Sequence, residues 1–205
     1  MPVLNLVEGL ARNERASEAE LIHRSFGLLK KGPDQRLTRH VKTKLLQPFT
    51  KDEFMKALEA PCDYLHVSSH GKRIGGEGVI YVRNRARITA EDIRRLNIQA
   101  SVIFVNACQA WSRDLYEAFE LATGRRPAYY VAPANDVNFD EAYLVALLFY
   151  RGLILGKQNP ISALKSAINI PGVEGAYLCR KFGLSKAKPR MNRIKADQTL
   201  LLRAR

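Results

Sequence analysis

The sequence predicts an α/β domain with a central, mainly parallel sheet of about six strands. Short apolar runs typical of buried strands alternate along the chain with longer amphipathic runs typical of helices. This alternation favours a parallel sheet with helices on both faces. The chain has 205 residues, 46% of them hydrophobic, which is enough for one such domain with its own core.

The N-terminal part supplies three strands and two capped helices. The predicted elements are, in order, strand 3–7, helix 17–32, strand 38–46, helix 50–60 and strand 64–69. Each helix begins at a hydroxyl residue, Ser17 or Thr50, followed three positions later by a glutamate, which forms a capping box. Each helix ends at a proline, where a helical backbone is difficult to continue.

The following part continues the alternation after a glycine-rich insertion. The predicted elements are, in order, a hairpin-like insertion 71–88, helix 89–96, strand 101–105, helix 115–122, strand 128–132, helix 140–152 and helix 161–168. Three glycines within 75–78 indicate the turn of the hairpin. Thr89, with Asp92 three residues later, is expected to cap the third helix, and Asp140 to cap the long apolar helix that follows the last strand.

The charge is strongly basic. Lysine and arginine number 33 against 20 acidic residues, a formal net charge of +13. Such a charge favours acidic partners, of which nucleic acid is the first to consider. No aromatic-plus-basic pattern of a nucleic-acid-binding module interrupts the basic runs, so nucleic acid is not predicted as the main ligand. We assign 1–182 to the folded domain and 183–205 to a basic tail, with an edge strand at 198–203 as the alternative to disorder.

Composition indicates an intracellular protein. No apolar run approaches the roughly 20 residues that span a bilayer, and the N-terminal residues become charged too soon for a secretory signal. The three cysteines, Cys62, Cys108 and Cys179, are an odd and widely spaced set that cannot form a disulfide framework. We therefore expect a cytoplasmic location, no membrane partner and cysteines that act as thiols.

Two reactive side chains directly follow predicted buried strands. His70 follows strand 64–69 and Cys108 follows strand 101–105. Ligand sites of open parallel sheets lie beyond the carboxyl ends of the strands, so neighbouring strands would bring the imidazole and the thiol together. An imidazole beside a thiol generates the nucleophilic thiolate. The backbone N–H groups of Gly71 and Cys108 are the predicted donors to a developing oxyanion.

These residues resemble the His-Gly and Cys loops of caspase-like cysteine peptidases, which include caspases, metacaspases, separase and the bacterial CHAT proteases. The matching segments are 65–71 (LHVSSHG) and 102–110 (VIFVNACQA), and His70 precedes Cys108 by 38 positions. Segments 139–142 and 149–153, with the pair 163–164, are similar to the CHAT pattern of a capped helix and a following turn. The resemblance covers most of residues 3–168, and CHAT proteases are the branch to which it is nearest.

The resemblance implies a three-layer sandwich fold and cysteine endopeptidase activity, with Cys108 as nucleophile and His70 as proton carrier. It implies no metal and no organic cofactor. Family members often cut one partner protein in bacterial defence, such as antiviral defence, or in regulated cell death, so we expect a dedicated protein or peptide substrate and an activating partner or processing step.

The family's nucleophile loop carries two features that differ here. Ala110 stands where caspases have a loop glycine, and the neutral Asn106 stands where metacaspases usually have an acidic residue that helps recognise a basic substrate side chain. We assign Asn106, Asp136 and Trp111 to substrate binding. A solvated loop carboxylate for Asp136 and simple packing for Trp111 are the alternatives.

Other interpretations give the same residues ordinary roles. His66 is expected in the core, and Cys62 and Cys179 as structural thiols. A metal site formed by His66, His70 and Cys108, and a phosphate cradle over 71–78, are both disfavoured because the fourth ligand and the Lys-Ser/Thr signature are missing. Two alternative functions remain, a catalytically inactive caspase-like scaffold and a basic nucleic-acid-binding α/β module.

Overall fold

A computed structural model describes residues 1–10, 17–28, 41–169 and 177–182. Its strands are β1 (Val3–Glu8), β2 (Lys42–Leu46), β3 (Tyr64–Ser68), β4 (His70–Ile74), β5 (Glu77–Tyr81), β6 (Arg87–Ile88), β7 (Val102–Asn106), β8 (Tyr129–Pro133) and β9 (Tyr177–Lys181). Its helices are α1 (Glu18–Leu28), α2 (Lys51–Glu59), α3 (Ala90–Arg94), α4 (Arg113–Ala122), α5 (Phe139–Ile154) and α6 (Pro160–Ile168).

A six-stranded sheet in the order β2-β1-β3-β7-β8-β9 forms the centre of the domain. The first five strands run parallel to one another, and β9 pairs antiparallel with β8 at the edge. This confirms the predicted mainly parallel sheet of about six strands, although β9 itself was not anticipated. The insertion predicted over 71–88 is a separate antiparallel sheet of β4, β5 and β6.

Apolar side chains from alternating strand positions cover both faces of the sheet. One face packs against α2, α3 and α4, with a core that includes Leu65, Val67, Ile103, Val105, Phe54, Ile93 and Phe119. The other face packs against α1, α5 and α6, with a core that includes Leu4, Leu6, Phe104, Val131, Ile22, Phe149 and Leu164. Because the inner strands β1, β3, β7 and β8 are buried on both sides, they are nearly continuous apolar runs, as expected for parallel sheets.

The helix caps confirm three predictions and overturn one. The Ser17 hydroxyl, directly before α1, accepts from the Glu20 N–H at 3.1 Å. The hydroxyls of Thr50 and Thr89 accept from backbone N–H groups three residues on, and both capping boxes are complete. The predicted cap Asp140 is wrong, because α5 begins at Phe139 and its N-cap is Asn138. Asp140 instead lies in the first turn, where a negative charge is favourable near the helix N-terminus.

The carboxyl ends of three parallel strands lie in register. Ser68 of β3 pairs with Glu8 on one side and with Asn106 on the other. The Ser69 N–H donates to the Asn106 carbonyl at 3.1 Å, which extends the pairing of β3 and β7 beyond their last residues. The segments that carry the predicted reactive residues therefore leave the sheet side by side.

Among the described residues, no helix is both long and apolar enough to cross a membrane. The predicted tail 183–205, with the alternative strand at 198–203, lies outside the described residues.

Candidate active site

His70 and Cys108 follow two strands that are direct neighbours. β3 and β7 pair in parallel from Tyr64 with Val102 to Ser68 with Asn106, so the condition that the sequence prediction required is met. His70, directly after β3, is the first residue of β4, where it pairs with Tyr81. His70 is exposed and Cys108 is half-buried.

The backbone of Gly71 lies directly against the backbone of Cys108. A Cβ atom built on Gly71 would sit 2.3 Å from the Cys108 carbonyl oxygen and 3.0 Å from the Ala107 Cβ. Ordinary van der Waals contact begins at 3.4 Å, so no side chain fits at this position without a backbone movement. The glycine is required by this close approach of two chain segments.

Gly71 and Arg73 lie two residues apart on β4 and occupy equivalent positions in its ladder with β5. The Arg73 N–H donates to the Gln109 side chain at 3.2 Å and not to the partner strand β5. In an antiparallel ladder, residues alternate between those that bond to the partner strand and those that face away. Gly71, two residues before Arg73, therefore also directs its N–H away from β5, and its role as an oxyanion donor stays a prediction.

Cys108 occupies the second position of a tight turn. The Ala110 N–H donates to the Ala107 carbonyl at 3.1 Å and closes the turn, and Gln109 has a φ of +58°. A positive φ at the third residue is typical of a type II turn. The Cys108 Sγ atom lies 3.8 Å from the Val137 carbonyl oxygen, which places the thiol next to the loop between β8 and α5.

Asp136 and Trp111 have different surroundings beside this turn. Asp136 is exposed, and its Oδ1 accepts from the Gln109 Nε2 at 2.9 Å, so a carboxylate stands next to the Cys108 turn. The half-buried Trp111 ring lies 5.8 Å from the Tyr130 ring and 6.2 Å from the Tyr116 ring, between ring centroids. Its indole therefore packs on the core with part of the side chain still accessible, and its role in substrate binding stays a prediction.

Asn106 is placed where it cannot contact a substrate, which contradicts the sequence prediction. Its Nδ2 donates to the Glu18 Oε1 at 2.6 Å and to the Ala142 carbonyl at 3.0 Å, and its Oδ1 accepts from the Tyr177 hydroxyl at 2.8 Å. The side chain is buried at the sheet face covered by α1 and α5. Asn106 thus holds the end of β7, two residues before Cys108, against its neighbours.

A buried polar cluster behind the site was not anticipated from the sequence. The Glu18 Oε1 lies 3.1 Å from the His66 Nε2, an ion-pair distance without the alignment of a hydrogen bond, and the His66 Nδ1 lies 3.2 Å from the Tyr150 hydroxyl. His66 is fully buried, which confirms its predicted place in the core. A glutamate in a first helical turn looks like an ordinary solvated residue in sequence, so no signal marked Glu18.

The other two cysteines have surroundings that suppress thiol reactivity. Burial raises the pKa of Cys62 to about 11 and the pKa of Cys179 to about 12. Both thiols stay protonated at neutral pH, and the thiolate is the reactive form. Within the described ranges, no group of three or more His, Cys, Asp or Glu side chains is arranged to hold a metal ion.

Comparison with known proteins identifies the fold. No family model and no curated protein match the chain. Among solved structures, the chain is similar to the Drosophila initiator caspase Dronc, with a TM-score of 0.51 and 12% sequence identity over 85% of this chain and 78% of that chain. At this identity the likeness shows the fold alone, and it confirms the predicted caspase-like α/β architecture. Nearness to the CHAT branch stays a prediction.

Proposed function

We propose that the protein is a cysteine endopeptidase in which Cys108 is the nucleophile and His70 carries the proton. One observation carries the proposal: the residue after His70 lies in backbone contact with Cys108, where a Cβ would be 2.3 Å from the Cys108 carbonyl oxygen. A histidine and a cysteine that are brought to one edge of a sheet by adjacent strands form the minimal set for thiol-dependent acyl transfer. The caspase-like fold supports the same chemistry.

The proposed reaction has two stages. His70 takes the proton of the Cys108 thiol, and the thiolate sulfur attacks the scissile carbonyl carbon. The backbone N–H groups of Gly71 and Cys108 donate to the oxyanion, at about 3 kcal/mol of transition-state stabilisation for each donor. Collapse breaks the C–N bond, and the leaving amine takes the proton from His70. Water, deprotonated by His70, then hydrolyses the thioester and releases the carboxylic acid and the thiol.

The substrate in this proposal is an extended segment of a specific partner protein. The exposed Asp136 carboxylate, beside the Cys108 turn, accepts a lysine or arginine side chain of the substrate, and the half-buried edge of Trp111 contributes an apolar wall. No metal or organic cofactor enters the mechanism. On the resemblance to CHAT proteases, we propose a cytoplasmic enzyme that is activated by a partner protein or by processing and acts in bacterial defence or regulated cell death.

The test compares the wild type with Cys108→Ala, His70→Ala and the matched control Cys62→Ala. Each protein is incubated with a diverse peptide library and, separately, with peptides that carry an electrophilic group. We expect cleavage and covalent labelling for the wild type and for Cys62→Ala, and loss of both for Cys108→Ala. His70→Ala should lose cleavage with little change in thermal stability, since the His70 side chain is exposed.

Two results would support the alternative functions. A wild type that folds but neither cleaves peptides nor becomes labelled at Cys108 would indicate an inactive scaffold. Salt-dependent binding to DNA or RNA that is unchanged in Cys108→Ala would indicate a basic nucleic-acid-binding module.

A further inference from the structure

We infer that Gln109 is a positioning residue that holds the His70-bearing strand β4 against the Cys108 turn, an inference that rests on the proposed function. Three separate segments meet at this side chain and its backbone. Since the residue does not itself contact a reacting atom, it acts through His70, whose strand it holds against the Cys108 turn.

The contacts of Gln109 join all three segments. Its Oε1 accepts from the Arg73 N–H of β4 at 3.2 Å, and its Nε2 donates to the Asp136 Oδ1 at 2.9 Å. Its own backbone N–H donates to the Asn135 carbonyl at 3.1 Å. One residue therefore ties β4 on one side, and the loop between β8 and α5 on the other, to the turn that carries Cys108.

The backbone conformation of Gln109 indicates why a side chain is retained there. Its φ of +58° lies in the left-handed region, which is costly for any residue with a Cβ and is the usual place for glycine. A turn with no other requirement would be served better by glycine. The two side-chain hydrogen bonds supply the requirement, because the amide accepts from one segment through its oxygen and donates to the other through its nitrogen, which glycine cannot do.

A second contact reinforces the attachment of β4. The Arg73 guanidinium donates to the Trp111 carbonyl, so Arg73 is bonded to this segment through its backbone and its side chain. His70 lies three residues earlier on the same short strand, about 10 Å away at strand spacing. A strand held at Arg73 and in contact at Gly71 leaves the His70 backbone little freedom to move away from Cys108.

The test uses variants that separate the side chain from the backbone. Gln109→Met keeps the length and the same backbone cost but loses both hydrogen bonds. Gln109→Gly relieves the positive φ and also loses them. Gln99→Met is the matched control, since Gln99 is exposed in the loop before β7, at the opposite end of that strand from Cys108.

The measurements are the rate of Cys108 alkylation by iodoacetamide at pH 7, resolved by peptide mass spectrometry, and kcat and KM for a cleaved peptide. We expect Gln109→Met and Gln109→Gly each to lower the alkylation rate about tenfold, towards the rate of His70→Ala. In peptide cleavage, the fold decrease in kcat should exceed the fold increase in KM. Gln109→Gly should show the slower alkylation and the lower kcat without loss of thermal stability. Gln99→Met should behave as the wild type.

The double variant His70→Ala/Gln109→Met decides between positioning and a general structural role. If Gln109 acts through His70, the double variant loses no more than His70→Ala alone. Additive losses, or rates for both Gln109 variants within twofold of the wild type, would overturn the inference while the endopeptidase proposal stands. A wild type that is alkylated no faster than His70→Ala would instead remove the proposed dyad, and the inference with it.

Discussion

Replacing Gly71 by alanine tests the contact on which the candidate site depends. The new Cβ would lie 2.3 Å from the Cys108 carbonyl oxygen, whereas ordinary contact begins at 3.4 Å. The two groups must therefore separate by about 1 Å, and because the obstructing atom belongs to the backbone, β4 or the Cys108 turn has to move. Overpacking of this kind typically costs about 1–3 kcal/mol of unfolding free energy.

The expected effect on catalysis is larger than the effect on stability. A displacement of about 1 Å between reacting groups lowers the rate by up to about 10²-fold. We expect kcat/KM of Gly71→Ala to fall by about that factor. The melting temperature should fall by about 2–4 °C for each kcal/mol of lost stability in a chain of this size.

The matched control is Gly27→Ala in α1. A Cβ at Gly27 meets no atom of the described residues within 4 Å, and its φ is not in the left-handed region. Because alanine is the better helix former, this variant should gain roughly 0.5–1 kcal/mol. Thermal unfolding and Cys108 labelling are measured for both variants. If Gly71→Ala matches Gly27→Ala in both measurements, the His70 and Cys108 segments are not in contact and the reasoning fails.

Three further predictions concern buried and half-buried groups of the domain. Asn106→Ala removes the donor to the buried Glu18 carboxylate. We expect the unfolding free energy, measured by urea denaturation, to fall by about 1.5–3 kcal/mol, and a fall below about 0.5 kcal/mol would contradict the buried contact. Burial raises the pKa of Glu8, so the folded state binds the proton of this carboxyl more tightly than the unfolded state does. The protonated form therefore stabilises the fold at low pH, and this stability is lost as pH rises through the raised pKa. The unfolding free energy of Glu8→Gln should therefore fall less than that of the wild type as pH rises from 4. Unfolding free energies that fall in parallel with pH in the two proteins would contradict the prediction. In the native protein at pH 7, iodoacetamide should leave Cys62 and Cys179 unmodified, whereas after denaturation in urea both should react; rapid native labelling of either would contradict the raised pKa values.

Local patterns predicted those parts of the fold that depend on neighbours in sequence. The capping boxes at Thr50 and Thr89 were found because the hydroxyl and the carboxylate are three residues apart in one chain segment. The cap of α5 was misplaced because Asn138 and Asp140 are both good capping residues, and their side chains alone do not decide which adopts the extended backbone. β9 was missed because a short edge strand needs the adjacent strand β8 to define it.

The candidate site divides in the same way between local and long-range information. A histidine-glycine pair and a cysteine, each after an apolar run, were recognisable from the sequence. The burial of Asn106 could not be recognised in this way. Its side chain forms hydrogen bonds with Glu18, Ala142 and Tyr177, which lie 36 or more residues away in the chain. Gln109 was passed over because neither its positive φ nor its partners Arg73 and Asp136 can be inferred from its immediate neighbours.

By itself, the amino-acid sequence determined the succession of strands and helices and the mainly parallel sheet, because apolar periodicity and helix caps act over a few residues. It also singled out His70 and Cys108 as the candidate reactive residues. Only the tertiary structure decided that β3 and β7 are adjacent and that Gly71 touches Cys108. It also decided that Asn106 faces the interior. Strand order and side-chain burial depend on which distant segments pack together, and that choice is made by the whole core.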